Sequence, residues 1–258
     1  MKWLAPTVVL TLAVWAPAAA QVAPSQPRPA PRPQRPVISE KGFISVGGLF
    51  QVGANDFADT ATIRENAENG RLDTGYEVGG GPAFDVSGGV VVWRNLAVGA
   101  GVTRFSKSTV TAVNAQVPHP FFFNQLRSVT GDFGGTRSEL AFHVHVRGVF
   151  PVNSRVTFSA FGGPSFFSVK QSIVSDFDYT ESYPFDSATF SRAIGAEQSE
   201  SKVGFNVGGD VSFFFSRQVG VGFTAQYAGT TVEMTVPSGT ADVKAGGGQI
   251  GGGLRLRF

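Results

Sequence analysis

GGGLRLRF, residues Gly251 to Phe258, decides the fold. Leucine and arginine alternate one by one, which is the period of a β-strand and not of a helix. Such a strand has one oily face and one charged face. The same alternation runs upstream to Lys41, and eight long runs carry it: Gly42 to Val52, Gly80 to Trp93, Leu96 to Ala112, Arg137 to Phe150, Arg155 to Val174, Ser201 to Ser216, Val219 to Val236 and Val243 to Phe258. Short joins at Arg94-Asn95, Pro151 to Ser154 and Arg217-Gln218 alternate with longer ones at Gly53 to Gly79, Val113 to Thr136 and Ser175 to Glu200, and Pro237 to Asp242 is intermediate. An up-and-down sheet with short turns at one end and longer loops at the other is the pattern of a transmembrane barrel.

Composition agrees with a surface held largely out of water. Charged residues make up 16% of the 258-residue chain, against about a quarter in ordinary soluble domains. The net charge of +2 is small and its basic residues are scattered, so no electrostatic case for nucleic acid arises. Cysteine is absent, which excludes disulfides, thiol catalysis and Cys-ligated metal.

The first residues read as a targeting segment. Lys2 precedes an apolar run from Leu4 to Trp15, followed by Ala18-Ala19-Ala20. The run is too short to span a bilayer as a helix, and the alanines form an A-x-A cleavage site. Residues 1–20 are therefore expected to be a signal peptide. Residues 21–40 are expected to be a Pro-rich periplasmic linker, extended as polyproline II, with Arg28, Arg32 and Arg35 spaced along it. Residues 41–258 form the barrel.

Alternation alone does not say which face meets what, because a soluble sandwich alternates too. In Arg137 to Phe150, Leu140, Phe142, Val144 and Val146 oppose Glu139, His143, His145 and Arg147; in Ser201 to Ser216, Phe205, Val207, Val211 and Phe213 oppose Lys202, Asn206 and Asp210. The polar faces are rich in glycine, which weakens a solvated strand but suits the cramped interior of an eight-stranded barrel. Trp93, Phe150, Phe213 to Phe215 and Phe258 gather at strand ends, as interfacial girdles do. The apolar faces are thus assigned to lipid and the polar faces to the lumen. Arg104 falls in phase with Val98, Ala100 and Val102, which predicts either a reversed face or a bulge in that run.

With these features the chain resembles small eight-stranded outer-membrane β-barrel proteins of the OmpA/OmpX type, over about Lys41 to Phe258. Gln249, Gly251, Leu254, Leu256 and Phe258 resemble the closing assembly signal of that class, with leucine where an aromatic residue is common. The resemblance implies an all-β, eight-stranded, antiparallel up-and-down transmembrane barrel in a bacterial outer membrane, recognised by the barrel assembly machinery. It also implies a monomer in contact with outer-membrane lipid and lipopolysaccharide, without the peptidoglycan-binding domain of larger OmpA proteins. No cofactor is implied.

The assigned phase sends Asp85, Glu139, His143, His145, Arg147, Arg155, Lys202, Asp210, Arg255 and Arg257 into the lumen. Charges in a narrow lumen are costly unless paired, so a salt-bridged network plugging the barrel is predicted. An ion-selective constriction is the alternative use of such charges. His143 and His145, two apart on one face, could ligate metal with Asp210 or Glu139, although a hydrogen-bonded layer is the favoured reading. The second long loop holds His119 and PHPFFF, Pro118 to Phe123, and the third holds the acidic, aromatic stretch Asp176 to Phe190. They read as a contact surface for an extracellular ligand, while Phe121 to Phe123 fit the outer girdle equally well. The expected role is structural or adhesive and not enzymatic. A narrow channel of the OmpW type is the runner-up. A lipid-modifying enzyme and a soluble periplasmic ligand-binding barrel stand further off.

Overall fold

The structure is a computed structural model, and it describes residues 41–53 and 55–258. The expected signal peptide and Pro-rich linker lie outside the described residues. Ten strands form one antiparallel sheet: β1 (Gly42–Val52), β2 (Phe57–Glu65), β3 (Glu68–Glu77), β4 (Gly81–Trp93), β5 (Leu96–Pro118), β6 (Leu126–Pro151), β7 (Val156–Glu181), β8 (Ala188–Phe214), β9 (Val219–Val236) and β10 (Gly239–Arg257). Eight of them close into a ring in the order β5-β4-β1-β10-β9-β8-β7-β6, with β6 returning to β5. The seam is the pairing of β10 with β1, from Phe43 opposite Arg257 to Val52 opposite Gly248. Lys41 and Gly42 amides both donate to the Phe258 carbonyl, at 2.6 and 2.9 Å. The last residues of the chain are therefore the ones that close the ring.

The exterior of the ring's lower part is apolar. Ile44, Val46, Phe84, Val90, Val98, Val102, Leu140, Phe142, Val144, Val146, Phe158, Val207, Val211, Val221, Phe223, Ile250 and Leu254 are exposed. Trp93, Phe150, Phe213, Phe215 and Phe258 ring the short-turn edge, and Phe50, Phe84, Phe166, Phe205 and Tyr227 the other. On β6 the belt runs from Leu140 to Phe150, close to the about 9–11 residues a tilted strand needs to cross a bilayer. Water does not tolerate so continuous a patch, whereas hydrocarbon does. Among the described residues no helix is long and apolar enough to cross a membrane.

β5 to β8 are 23, 26, 26 and 27 residues long, more than twice what the bilayer requires. Above the belt the polarity of the wall reverses while the phase of each strand is kept. On β5 the inward residues change from Gly99, Gly101 and Thr103 to Val113, Ala115 and Val117, all buried. On β9 the outward residues change from Val221 and Phe223 to Thr231, Glu233 and Thr235, and Val232, Met234 and Val236 turn inward. Two apolar clusters fill this upper part. One gathers Tyr76, Phe167, Val169, Ile173, Val232, Met234 and Val243. The other gathers Leu72, Val113, Ala115, Val117, Val129, Val174 and Phe177. The protein is thus a membrane barrel below and a water-soluble β-structure with an oily core above, built on the same strands.

Several expectations change accordingly. Gly53 to Gly79 contains the hairpin β2–β3, and β3 adds to the upper part of β5, Arg71 opposite Gln116 through Glu77 opposite Val110. Most of Val113 to Thr136 and Ser175 to Glu200 is strand, leaving residues 119–125 and 182–187 as the connections. Arg104 needs neither a reversed face nor a bulge: its register with Phe84 and Leu140 is unbroken. It points outward where the belt gives way to water, and an arginine there can place its head among polar groups.

The cap carries a pH dependence. Tyr76 is 1% exposed, stacks on Phe57 with ring centroids 4.3 Å apart, and its hydroxyl oxygen accepts from the Val174 amide at 2.9 Å. Burial pushes its hydroxyl above the ordinary tyrosine value. An acid whose folded pKa is raised keeps its full contribution below the unfolded pKa, about 10, and loses it as pH climbs through the folded value. Urea midpoints measured from pH 9 upward should therefore fall, and Tyr76→Phe should flatten that fall. Parallel curves for the two proteins would refute the assignment.

Candidate functional site: the charged lumen and the distal tip

Inward glycines make the interior possible. A Cβ on Gly222 would lie 2.7 Å from Arg255 Nε, and one on Gly99 2.8 Å from His145 Nε2. Into that space β6, β8 and β10 send the large polar groups.

The upper layer centres on Glu139, 3% exposed. Its carboxylate accepts from Arg137 Nε at 2.7 Å, from the Gly246 amide at 2.8 Å and from Gln51 Nε2 at 3.4 Å. Arg137, fully buried, also donates to the Lys244 carbonyl at 2.6 Å and to Gln171 Oε1 at 3.4 Å. Gln249 donates to Gln51 at 2.9 Å and accepts from Gln226 at 2.7 Å. A relay of amides and charges thus crosses the lumen from wall to wall. Gly246 is the hinge of this layer: at φ 83° it turns its amide to Glu139 and its carbonyl to Gln51 and Asn55. A side chain there would be strained and would strike the Ala228 carbonyl.

The middle layer centres on the two histidines. His143 sits between Ser165 Oγ at 2.7 Å and Thr103 Oγ1 at 3.0 Å. Thr103 donates to Asp85 at 2.9 Å, and Asn206 donates to Ser165 at 2.9 Å. His145 packs against Phe161, centroids 5.3 Å apart. The two histidines do not meet Glu139 or Asp210 in a ligand cluster, and among the described residues no group of three His, Cys, Asp or Glu is placed to hold a metal.

The lower layer joins Arg255 to Asp210 through Nη2 at 2.5 Å and Nε at 3.0 Å. Thr224 and Ser212 donate to the same carboxylate at 2.9 and 2.5 Å. Arg147 donates to Ser159 at 3.2 Å and lies between the rings of Phe43 and Phe161, 4.6 Å from each centroid. Arg257 stands at the short-turn mouth over the Phe214 ring, bonded to the Arg217 and Ser154 carbonyls.

Two residues expected in the lumen are elsewhere. Arg155 is exposed in the turn after β6, its amide donating to Asn153 Oδ1 at 2.8 Å. The turn ends the two-residue phase, so its side chain is not carried inward. Lys202 has the inward phase, opposite Phe167, but β8 pairs with β9 only as far as Phe205 opposite Gly229. Above that point the two strands part, and Lys202 reaches Glu233 in the open at 3.3 Å. Arg137, Gln51 and Gln171 were not among the residues expected in the lumen; Asn206 and Gln226 fall on the polar faces assigned to it but were not expected as site residues. Arg137 lay at a presumed strand boundary, and buried amides leave no charge signal in a sequence. Gln249, expected as part of the assembly signal, points into the lumen. Of that signal's other members, Leu254, Leu256 and Phe258 face outward, and Gly251 approaches the β1 backbone too closely for a side chain.

At the far end of the molecule the β5–β6 and β7–β8 turns meet. Phe121, Phe122, Phe123, Leu126 and Tyr183 are all half or more exposed. Phe121 packs edge-on to Phe185 at 5.4 Å, and Phe185 to Tyr183 at 6.1 Å. His119 Nδ1 accepts from the amides of Phe121 and Phe122 at 3.1 and 3.2 Å. Arg127, 4% exposed, ties the two turns together through Glu181 at 2.5 Å and the carbonyls of Pro118 and Phe185. From Arg104 to Pro118 the strand climbs fourteen residues, about 45 Å of path at roughly 3.3 Å each. Phe121 to Phe123 are therefore at the tip and not in the outer girdle.

Fold and interior together define a class: a closed, eight-stranded antiparallel barrel with a lipid-facing exterior, a charged interior and an oily-cored cap. No protein-family model and no curated protein matches the chain. Among solved structures it is similar to the outer membrane protein OprG from Pseudomonas aeruginosa, at 10% identity and a TM-score of 0.49 over 85% of this chain and 96% of that one. It is similar also to Ail, the attachment invasion locus protein of Yersinia pestis, in complex with the heparin analogue sucrose octasulfate, at 15% identity and 0.37 over 84% and 99%. The outer membrane protease OmpT from Escherichia coli shares 7% identity at 0.38 over 86% and 98%.

Proposed function

We propose that this protein is a bacterial outer-membrane barrel that passes no solute and serves as a rigid pedestal for a contact surface at its aromatic tip. The polarity reversal along β5 to β10 is the observation that carries this reading. It replaces a pore above the membrane with a packed core, and it gives the tip a folded support in place of mobile loops. Below that core the Glu139–Arg137 layer occupies the axis. The turns project outward from the cell and the β4–β5, β6–β7 and β8–β9 turns face the periplasm. Phe121, Phe122, Phe123 and Tyr183 offer the tip's partner an apolar, rigid face at low entropic cost. No group in the reading is catalytic. His119 acts as a brace for its turn.

Two measurements on the full-length protein test this. Reconstituted in planar bilayers it should give no discrete conductance, and ion-selective steps would overturn the closed lumen. Cells displaying the protein should adhere to polystyrene, and replacing Phe121, Phe122 and Phe123 together by serine should reduce adherence to that of cells lacking it. Unchanged adherence at equal surface display would overturn the role of the tip.

A further inference from the structure

The end of the lumen opposite the tip holds a cavity of about 260 Å³. It opens between the β6–β7 turn, at Asn153 and Ser154, and the last residues of β10. Its walls are part apolar, from Phe43, Val91, Val149 and Phe214, and part cationic, from Arg147, Arg255 and Arg257. The single carboxylate in the lining, Asp210, is already engaged by Arg255.

Arg147 is different. It is 7% exposed, so its charge has lost most of its water. Its faces are covered by Phe43 and Phe161, and one edge reaches only the Ser159 hydroxyl. Nε is buried and has no hydrogen-bond partner, and Asp210 and Asp85 attract its charge from nearby without a direct hydrogen bond or contact ion pair to it among the described residues. A buried cation in this state is costly by itself. A guanidinium held over two rings at a cavity wall, with one nitrogen still unpartnered, suits a planar two-oxygen anion.

We propose that this vestibule binds a compact monocarboxylate with an apolar body, its carboxylate on Arg147 and its body against Phe43 and Phe214. The size fits: the cavity lies just below the roughly 300–1,000 Å³ usual for small-molecule sites. The site takes its ligand from the periplasmic side and is independent of what the tip contacts.

The test is calorimetric titration of the full-length protein in neutral detergent with benzoate, its neutral isostere benzamide and its cationic counterpart benzamidine. Benzoate should bind, benzamide should bind about tenfold more weakly or worse, the factor a charge-assisted hydrogen bond carries, and benzamidine should not bind. Arg147→Met should lose benzoate binding by a similar factor while keeping the heat-modifiable gel migration of a folded barrel. Ser154→Trp, an exposed turn substitution that narrows the mouth, should weaken binding without touching the charge. Equal affinity for benzoate and benzamide, no benzoate binding at millimolar concentration, or full binding by both variants would overturn the proposal. If Arg147→Met does not fold, the wild-type ligand series together with Ser154→Trp decides.

Discussion

Glu139→Ala should lower the stability of the folded barrel by about 3–5 kcal/mol, the range for removing one partner of a buried ion pair. The expectation rests on what would be left behind. Arg137 has no exposed surface, and with Glu139 gone its Nε would face a hole, as would the Gly246 amide, while the Gln51 side-chain amide would keep its bond to the Gly246 carbonyl. The pair as a whole is a different matter. Arg137→Met combined with Glu139→Leu removes both charges and fills the space with apolar atoms, so it should recover most of the loss. Equilibrium unfolding in urea, with the protein in lipid vesicles and folding followed by gel migration, measures both. A single alanine variant as stable as the wild type would mean that the layer is not closed as described.

Val144→Arg has the second largest effect. Val144 is on the outward face near the middle of the β6 belt, where arginine against lipid costs about 2–4 kcal/mol. The protein should fail to insert or should insert with strongly reduced stability. The informative partner is Thr235→Arg. Thr235 also points outward, on β9, but above the belt, where its neighbours on that face are Thr231 and Glu233. Arginine there should change stability by no more than about 0.5 kcal/mol. If both substitutions were equally harmful, or both harmless, the polarity of the wall would not reverse between those heights.

That reversal also explains what could be read in the chain and what could not. The eight-stranded, antiparallel up-and-down barrel was legible because its lipid-facing strands carry one simple rule, apolar out and polar in. Leu254, Arg255 and Leu256 state it in three residues. Above the belt the rule is inverted without any break in the alternation: Val113, Ala115 and Val117 sit on the parity that had held Gly99, Gly101 and Thr103. A reader following one oily phase therefore sees the signal fade and assigns a loop. Arg104 looked like an exception for the same reason, when it marks the height at which the rule changes. In the interior, charged residues inside a run, such as Glu139, Asp210 and Arg255, could be assigned a direction from phase alone. Arg155 could not, because a turn intervenes. Lys202 could not, because its exposure depends on β8 and β9 separating, which is a property of two strands together. For Gln51, Gln171 and Gln226 phase gives a direction at most, as it did for Gln226, and not a place in a hydrogen-bonded layer, because a buried amide differs from a solvated one only in its partners.

The same strand that seals the ring also supplies Val243 and Ala245 to the oily centre above the membrane. A chain still waiting for β10 would thus lack two things at once, a neighbour for β1 and part of the filling for the upper chamber. Closure of the wall and consolidation of the upper chamber become a single event in the biogenesis of the molecule. A partly assembled barrel would display both a bare hydrogen-bonding edge and greasy side chains, the two features that quality-control proteases and chaperones recognise.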